Sequence, residues 1–283
     1  YRAVVAERLA FERLEQAEKA RAEADAARND ALAAKEQAER FNNIANAVTE
    51  FFTKDLLDLK PRPDGAPEIT VRELLDAVPP KIDKYFKSEP AVEGIIRERV
   101  GQLYRRLGEL NRSTEYLVQA IPLLEAGLGT ESKPALSAVQ RLGELKLDQG
   151  RYDEAAALFD KAYQGRLHAY GMGYAMTVNS LVRRGAARAL SGHVDEGIAD
   201  VRKALDYTES KEGRESRNFV VGAIDLADLM NDAGRAEESL KLSTELLETI
   251  QRKQDVLAPL EWQVRQSMAR SLVETPEGGL TLF

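Results

Sequence analysis

Apolar residues recur along this chain in two registers, separated by a proline-rich break. From Tyr1 to Arg40 neither glycine nor proline interrupts a succession of Glu, Arg and Ala. Within it Ala17, Ala20, Ala24, Ala27, Ala31, Ala34, Ala38 and Phe41 follow alternating three- and four-residue steps, the spacing of a coiled-coil seam. Alanine buries little area, so this predicts a long helix that is marginal alone and needs a partner helix, from a second copy or a neighbouring array. A single solvated helix acting as a spacer is the other reading of the same charges. Phe41, Ile44, Val48, Phe51, Phe52 and Leu56 then fall mostly on one face and predict docking on a core. Pro61, Pro63, Asp64, Gly65 and Pro67 break the helix and mark the clearest linker. Thr70 and Glu73, just before Leu74 and Leu75, predict a capping box. Pro79 and Pro80 predict a kink or split ahead of Ile82, Tyr85 and Phe86.

From Ala91 a longer period takes over. Gly108, Gly150, Gly192 and Gly234 stand 42 residues apart, each between two apolar-periodic segments. Val100 and Gly101 hold the same offsets before Gly108 as Leu142 and Gly143 hold before Gly150. After the turn, Ser113, Leu117 and Ala120 match Ala155, Phe159 and Ala162, then Gly197, Val201 and Ala204. Two antiparallel helices meet tightly only where side chains are small, and their reversal needs a residue tolerant of positive φ. Each pair leaves an apolar face that the next pair buries, so the expected architecture is all-α and solenoidal. The fourth unit, with Leu226, Ala227, Gly234, Ser239 and Leu246, is the least regular, and Gln254 to Val273 supplies one more first helix that Trp262 closes. The expected organisation is a long helix over 1–60, a linker and capping helix over 61–90, the repeat array over 91–273, and a loose tail over 274–283 containing Pro276, Gly278 and Gly279.

Composition narrows the functions. The chain carries 40 basic and 47 acidic residues, net charge -7, with no long basic stretch, which argues against direct nucleic-acid contact. Cysteine is absent, removing disulfides, thiolate metal sites and cysteine nucleophiles together. No apolar run reaches the roughly 18 residues of a membrane span, and the sequence opens at Tyr1, which suggests a segment of something longer. His168 and His193 lack the spacing of metal ligands. Gly127-Leu128-Gly129 and Gly171-Met172-Gly173 have no strand before them and read as connectors, not phosphate loops, while Glu237-Glu238 reads as a solvated helix face. No enzyme activity, cofactor or metal is expected of this chain.

At the repeat residues the chain resembles the tetratricopeptide family, whose pattern is carried by Leu142, Gly143, Gly150, Tyr152, Ala155, Phe159 and Ala162. The 42-residue period and the connectors Leu128-Gly129-Thr130-Glu131 and Tyr170-Gly171-Met172-Gly173 resemble the variety in kinesin light chains. The resemblance implies a right-handed superhelix whose first helices line a concave groove for a protein or peptide. Carried over, the groove positions are Glu98, Gln102 and Arg105, then Gln140, Glu144 and Asp148, then Asn179, then Asp228 and Asn231. Gly197 and Ser239 depart from the family's alanine, which implies a weaker or more curved stack there.

A second resemblance lies in Phe51-Phe52-Thr53-Lys54-Asp55-Leu56-Leu57, Ile69-Thr70-Val71-Arg72-Glu73-Leu74-Leu75-Asp76 and Leu103-Tyr104-Arg105-Arg106-Leu107-Gly108-Glu109. These are similar to the region behind the membrane helix of bacterial transmembrane Ser/Thr protein kinases with tetratricopeptide tails, and to the tails of membrane-anchored winged-helix regulators. Either implies an extracytoplasmic sensor or docking segment, held to the membrane only through a missing upstream part. A homodimer through the N-terminal helix would couple ligand binding to such an output, and a free-standing adaptor or scaffold is the remaining alternative.

Overall fold

A computed structural model describes residues 2–55 and 70–274, and all regular structure among them is helical. The linker prolines from Pro61 to Pro67 and the tail 275–283 lie outside the described residues. The chain divides into two compact units, Tyr1–Tyr85 and Phe86–Phe283.

In the first unit, α1 (Arg2–Glu50) runs into a π-helical turn over Phe51–Asp55 and is followed by α2 (Val71–Asp76) and α3 (Val78–Tyr85). The alanine seam from Ala17 to Ala38 is exposed throughout. The pairs Lys19–Glu23 at 4.0 Å and Lys35–Glu39 at 3.7 Å support the helix locally, each by about 0.3–0.5 kcal/mol. Ile44 and Phe51 are buried whereas Phe41 is exposed, and Leu56 lies outside the described residues. The capping box forms as the spacing predicts: Glu73 N–H donates to Thr70 Oγ1 at 3.2 Å and Thr70 N–H to Glu73 Oε2 at 2.9 Å. The helix divides at Ala77, ahead of the prolines, and Pro79 and Pro80 fall in the first turn of α3, where a missing N–H has no intrahelical partner to lose.

The second unit stacks antiparallel helix pairs as a solenoid. The pairs are α4 (Pro90–Arg106) with α5 (Leu110–Leu128), α6 (Lys133–Asp148) with α7 (Tyr152–Tyr170), α8 (Ala175–Leu190) with α9 (Val194–Glu212), and α10 (Arg217–Asp232) with α11 (Ala236–Arg252). A short α12 (Gln254–Leu257) and a 3-10 turn lead to α13 (Glu261–Glu274), which packs on α10 and α11 as a further first helix. Trp262 at its start is 63% exposed, so it does not close the core; Leu257, Leu260 and Val264 do.

The turns halve the sequence period. Glycines of positive φ stand 21 residues apart from Gly108 to Gly234, alternating between turns within a pair and connectors between pairs. At Gly150 the N–H donates to Leu147 O at 2.9 Å and that of Arg151 to Lys146 O at 2.8 Å, capping the end of α6 with a left-handed residue. At Gly171, φ 70° and ψ 179° place the backbone where essentially only glycine goes. Ser132 and Ser216 cap the helices that follow two of the connectors, while Tyr174, at the third, makes no side-chain cap.

Helices within a pair cross at small residues. A Cβ on Gly143 would lie 3.0 Å from the Phe159 ring, and one on Gly101 would lie 3.1 Å from Leu117. The third pair is tighter: Gly185 and Gly197 face each other, and a Cβ on Gly197 would sit 2.5 Å from the Gly185 carbonyl oxygen. The family's alanine is therefore sterically excluded at 197. In the fourth pair Ser239 Oγ donates to Ala227 O at 2.8 Å, so the hydroxyl serves the same crossing with a hydrogen bond. Arg184, in the register of Leu142, is held beneath the third crossing by a fork to Asp200, with Nε at 2.8 Å and Nη2 at 2.6 Å from the two oxygens. Asp160 and Arg188 extend that pair into a network.

Gly197→Ala is expected to lower the urea unfolding midpoint, because overpacking against fixed backbone costs about 1–3 kcal/mol and outweighs the gain of roughly 1 kcal/mol that alanine brings to an open helix. An unchanged or raised midpoint would contradict the crossing geometry. Asp200→Ala should cost about 3–5 kcal/mol, since it strips a buried guanidinium of its forked partner, and adding Arg184→Leu to that variant should recover much of its loss in the same unfolding assay.

Candidate functional site

The first helices α4, α6, α8 and α10 present one face of the array, and their polar side chains are tied together across successive pairs. Arg105 of α4 reaches α6, donating from Nε to Asp148 at 2.5 Å and from Nη1 to Glu144 at 2.9 Å. The bond to Asp148 is the main reason the guanidinium is held above its ordinary pKa. Glu98, 7% exposed, accepts from Gln102 and from Arg141 of α6. Burial pushes its carboxyl above the ordinary range, against the pull of Arg141 and Arg99. Gln140 donates to Asn179 of α8 at 2.9 Å and accepts from Ser180 Oγ at 3.1 Å and from Arg166.

Two cavities open on this face. The first, about 610 Å³, is lined by Gln102, Arg105, Gln140, Glu144 and Asp148 together with Arg141 and Arg166. The second, about 520 Å³, lies between α8 and α10 over α9; Asn179, Asn218 and Asp225 edge it, and Val178, Val182 and Val221 make it partly apolar. The expected groove residues are thus distributed unequally. Those of the first two units come together, Glu98 as the buried partner beneath them, and Asn179 belongs to the second cavity. Asp228 stands 3.6 Å from Arg270 of α13. Asn231 is buried at 2% exposure, donating to Ser267 O at 3.0 Å and accepting from Ser271 Oγ at 2.8 Å, so its amide staples α10 to α13 and does not face a ligand.

Arg166, on the second helix α7, was not expected in the groove. Burial lowers its pKa, the cost of a guanidinium at 1% exposure. The repeat register carried part of the signal: positions 124 and 250 hold the buried apolar residues Leu124 and Ile250, while Thr208, one period on, is polar and half-buried. Among the described residues no group of three or more His, Asp or Glu side chains could hold a metal ion, and no catalytic motif accompanies the groove.

The described helices form an all-α solenoid of stacked antiparallel pairs, consistent with a tetratricopeptide repeat fold. The tetratricopeptide repeat family model matches residues 136–164, which covers most of α6 and most of α7. No curated protein matches the chain. Among solved structures, nearly identical TPR-like repeats of a candidate kinesin light chain from Podosopora anserina, in a singly substituted form, align with TM-score 0.60 at 17% identity, covering 65% of this chain and 86% of that one. A second structure of those repeats gives TM-score 0.57 at 19% identity over 64% and 84%. BtubC (BKLC) from P. vanneervenii gives 0.55 at 14% identity over 74% and 78%. At these identities the likeness is one of fold.

Glu98 yields a pH prediction. Its folded pKa is raised, so between 4.5, its ordinary value, and the raised value the folded state holds more proton than the unfolded one, and stability falls as pH rises through that window. Relative to Glu98→Gln, which does not titrate, the parent protein should lose unfolding free energy as pH climbs from 4.5 toward neutrality. Parallel urea titrations of both proteins check this, and equal pH slopes would contradict the burial of an ionisable Glu98.

Proposed function

We propose that the array formed by α4 to α13 is the polypeptide-binding module of an adaptor or scaffold, with a segment of a partner protein lying across the two cavities. The observation that carries this is the pairing of a polar, arginine-rich cavity with a partly apolar one on a single row of first helices. Convergent polar groups fix the backbone and register of a bound peptide, and apolar walls supply the area that drives association. The related kinesin-light-chain-like repeats share the architecture, and the adaptor reading needs nothing further from this chain.

The finer reading, an extracytoplasmic tail of a membrane-bound Ser/Thr kinase or winged-helix regulator, is supported by the motifs between Phe51 and Glu109 alone. Among the described residues no helix is long and apolar enough to cross a membrane. Coding sequence upstream of Tyr1 decides between these outputs, and light scattering of the chain decides whether α1 pairs two copies.

Peptides selected from a random display library on the 283-residue chain should bind wild type and lose about tenfold or more in affinity to Val221→Arg, which places a charge in the wall of the second cavity. Glu237→Lys, on the exposed side of α11, should bind them as wild type does. Selected peptides indifferent to Val221→Arg would remove the groove as the binding surface.

A further inference from the structure

The first helices α4, α6, α8 and α10 each carry their own second helix, whereas α13 packs on α10 and α11 and has no second helix among the described residues. The surface that a second helix covers is marked by Gly101 and Gly143, where an added Cβ would meet Leu117 of α5 and Phe159 of α7. Ala269 holds the same repeat position on α13, and it is exposed. Trp262 stands in the register of Leu136, which is 1% exposed and lies against Gly165 of α7, where an added Cβ would come within 2.7 Å. On α13 that position is 63% exposed. The polar rim is repeated as well: Arg265 Nε donates to Glu261 at 2.9 Å, as Arg97 Nε does to Glu93 at 2.7 Å. Arg97 also donates from Nη1 to Gln119 of α5 at 2.7 Å, so this arginine position reaches across to a second helix.

A helix face that matches this surface lies in α1. Setting Leu14 on Leu117 puts Gln16 on Gln119, Ala17 on Ala120 and, one period further on, Ala20 on Gly165. Leu14 is 57% exposed, and Gln16, Ala17 and Ala20 are exposed with it. Alanines alone would fit many helices. Leu14 and Gln16 narrow the choice, because Leu117 and Gln119 are side chains that touch a first helix in this fold. Large and small residues also alternate correctly, with Ala20 opposite Trp262 as Gly165 is opposite Leu136. Both faces are exposed in the single chain, so the helix that covers α13 comes from another molecule.

We infer that α1 of a second copy supplies the second helix that α13 lacks, lying antiparallel across it with Leu14 at Ala269, Gln16 at Arg265 and Ala20 at Trp262. Removing the indole and the leucine from water drives the contact, and Gln16 repeats for Arg265 what Gln119 does for Arg97. The contact joins two different surfaces, so every copy can give α1 and receive one. It lies outside the residues of both cavities and does not depend on the groove reading.

The chain has no cysteine, so single cysteines can report the contact. Full-length Ala17→Cys and Ala269→Cys are prepared separately, mixed, treated with a short bismaleimide and separated by size. Both positions are exposed, and such substitutions leave the fold in place. Joined pairs that need both variants are expected, well above those from Ala17→Cys mixed with Glu237→Cys, an exposed site on α11. Adding Trp262→Glu to Ala269→Cys should weaken the association about tenfold or more, as loss of a central aromatic anchor does. A yield no higher than with Glu237→Cys overturns the inference, as does indifference to Trp262→Glu. Ala17→Cys joining to itself as readily as to Ala269→Cys also overturns it, by making a second α1 the partner of α1. A link formed only within single chains of the double variant overturns it by assigning the face to the same copy.

Discussion

The closeness of the two backbones where a first helix crosses its second governs the rest of the structure. At Gly185 and Gly197 an added methyl would meet the facing carbonyl oxygen at 2.7 and 2.5 Å, and at Gly143 it would meet the Phe159 ring at 3.0 Å. Packing this tight fixes the crossing point, and the crossing point fixes which residues of each helix face the next pair. The 42-residue period follows from it: repeating the same crossing repeats the same uncovered face, which the next pair buries. Glycine turns every 21 residues keep each helix of the array near one length, so the crossings stay in register from Gly101 to Ala227.

Within that regular frame, individuality comes from polar residues at positions the repeat normally fills with hydrocarbon. Arg184 replaces the leucine of the second unit and recruits Asp200, Asp160 and Arg188. Arg166 stands in the register of Leu124 and Ile250, with neutral acceptors only. Asn231 joins Ser239, Ser267 and Ser271 into a buried network at the far end. Burying such groups is tolerable only when their partners are in place, and the rigid crossings hold those partners still. The first cavity follows the same logic, since Arg105, Glu144 and Asp148 satisfy one another across adjacent pairs.

Gly197 and Ser239 show how a departure from a family pattern can mislead. Against a consensus alanine each looks like a weakness. In place, glycine is what the third crossing requires, and the serine hydroxyl bonds the facing backbone of the fourth. No pairwise rule along the chain contains that information, because it depends on a distance between residues twelve apart in sequence and on opposite helices.

The sequence by itself determined the helical class, the long uninterrupted first helix, the capping box at Thr70 and Glu73, and the period of the array. These follow from local sterics and from hydrophobic spacing, which act within one or two helical turns. Tertiary structure alone decided that Asn231 is buried against α13 while Gln140 remains at the groove. It also decided that a guanidinium from a second helix reaches the cavity of the first helices. Those outcomes depend on which side chains, 26 to 40 residues apart, come within hydrogen-bonding distance, and such distances exist only once the helices have packed.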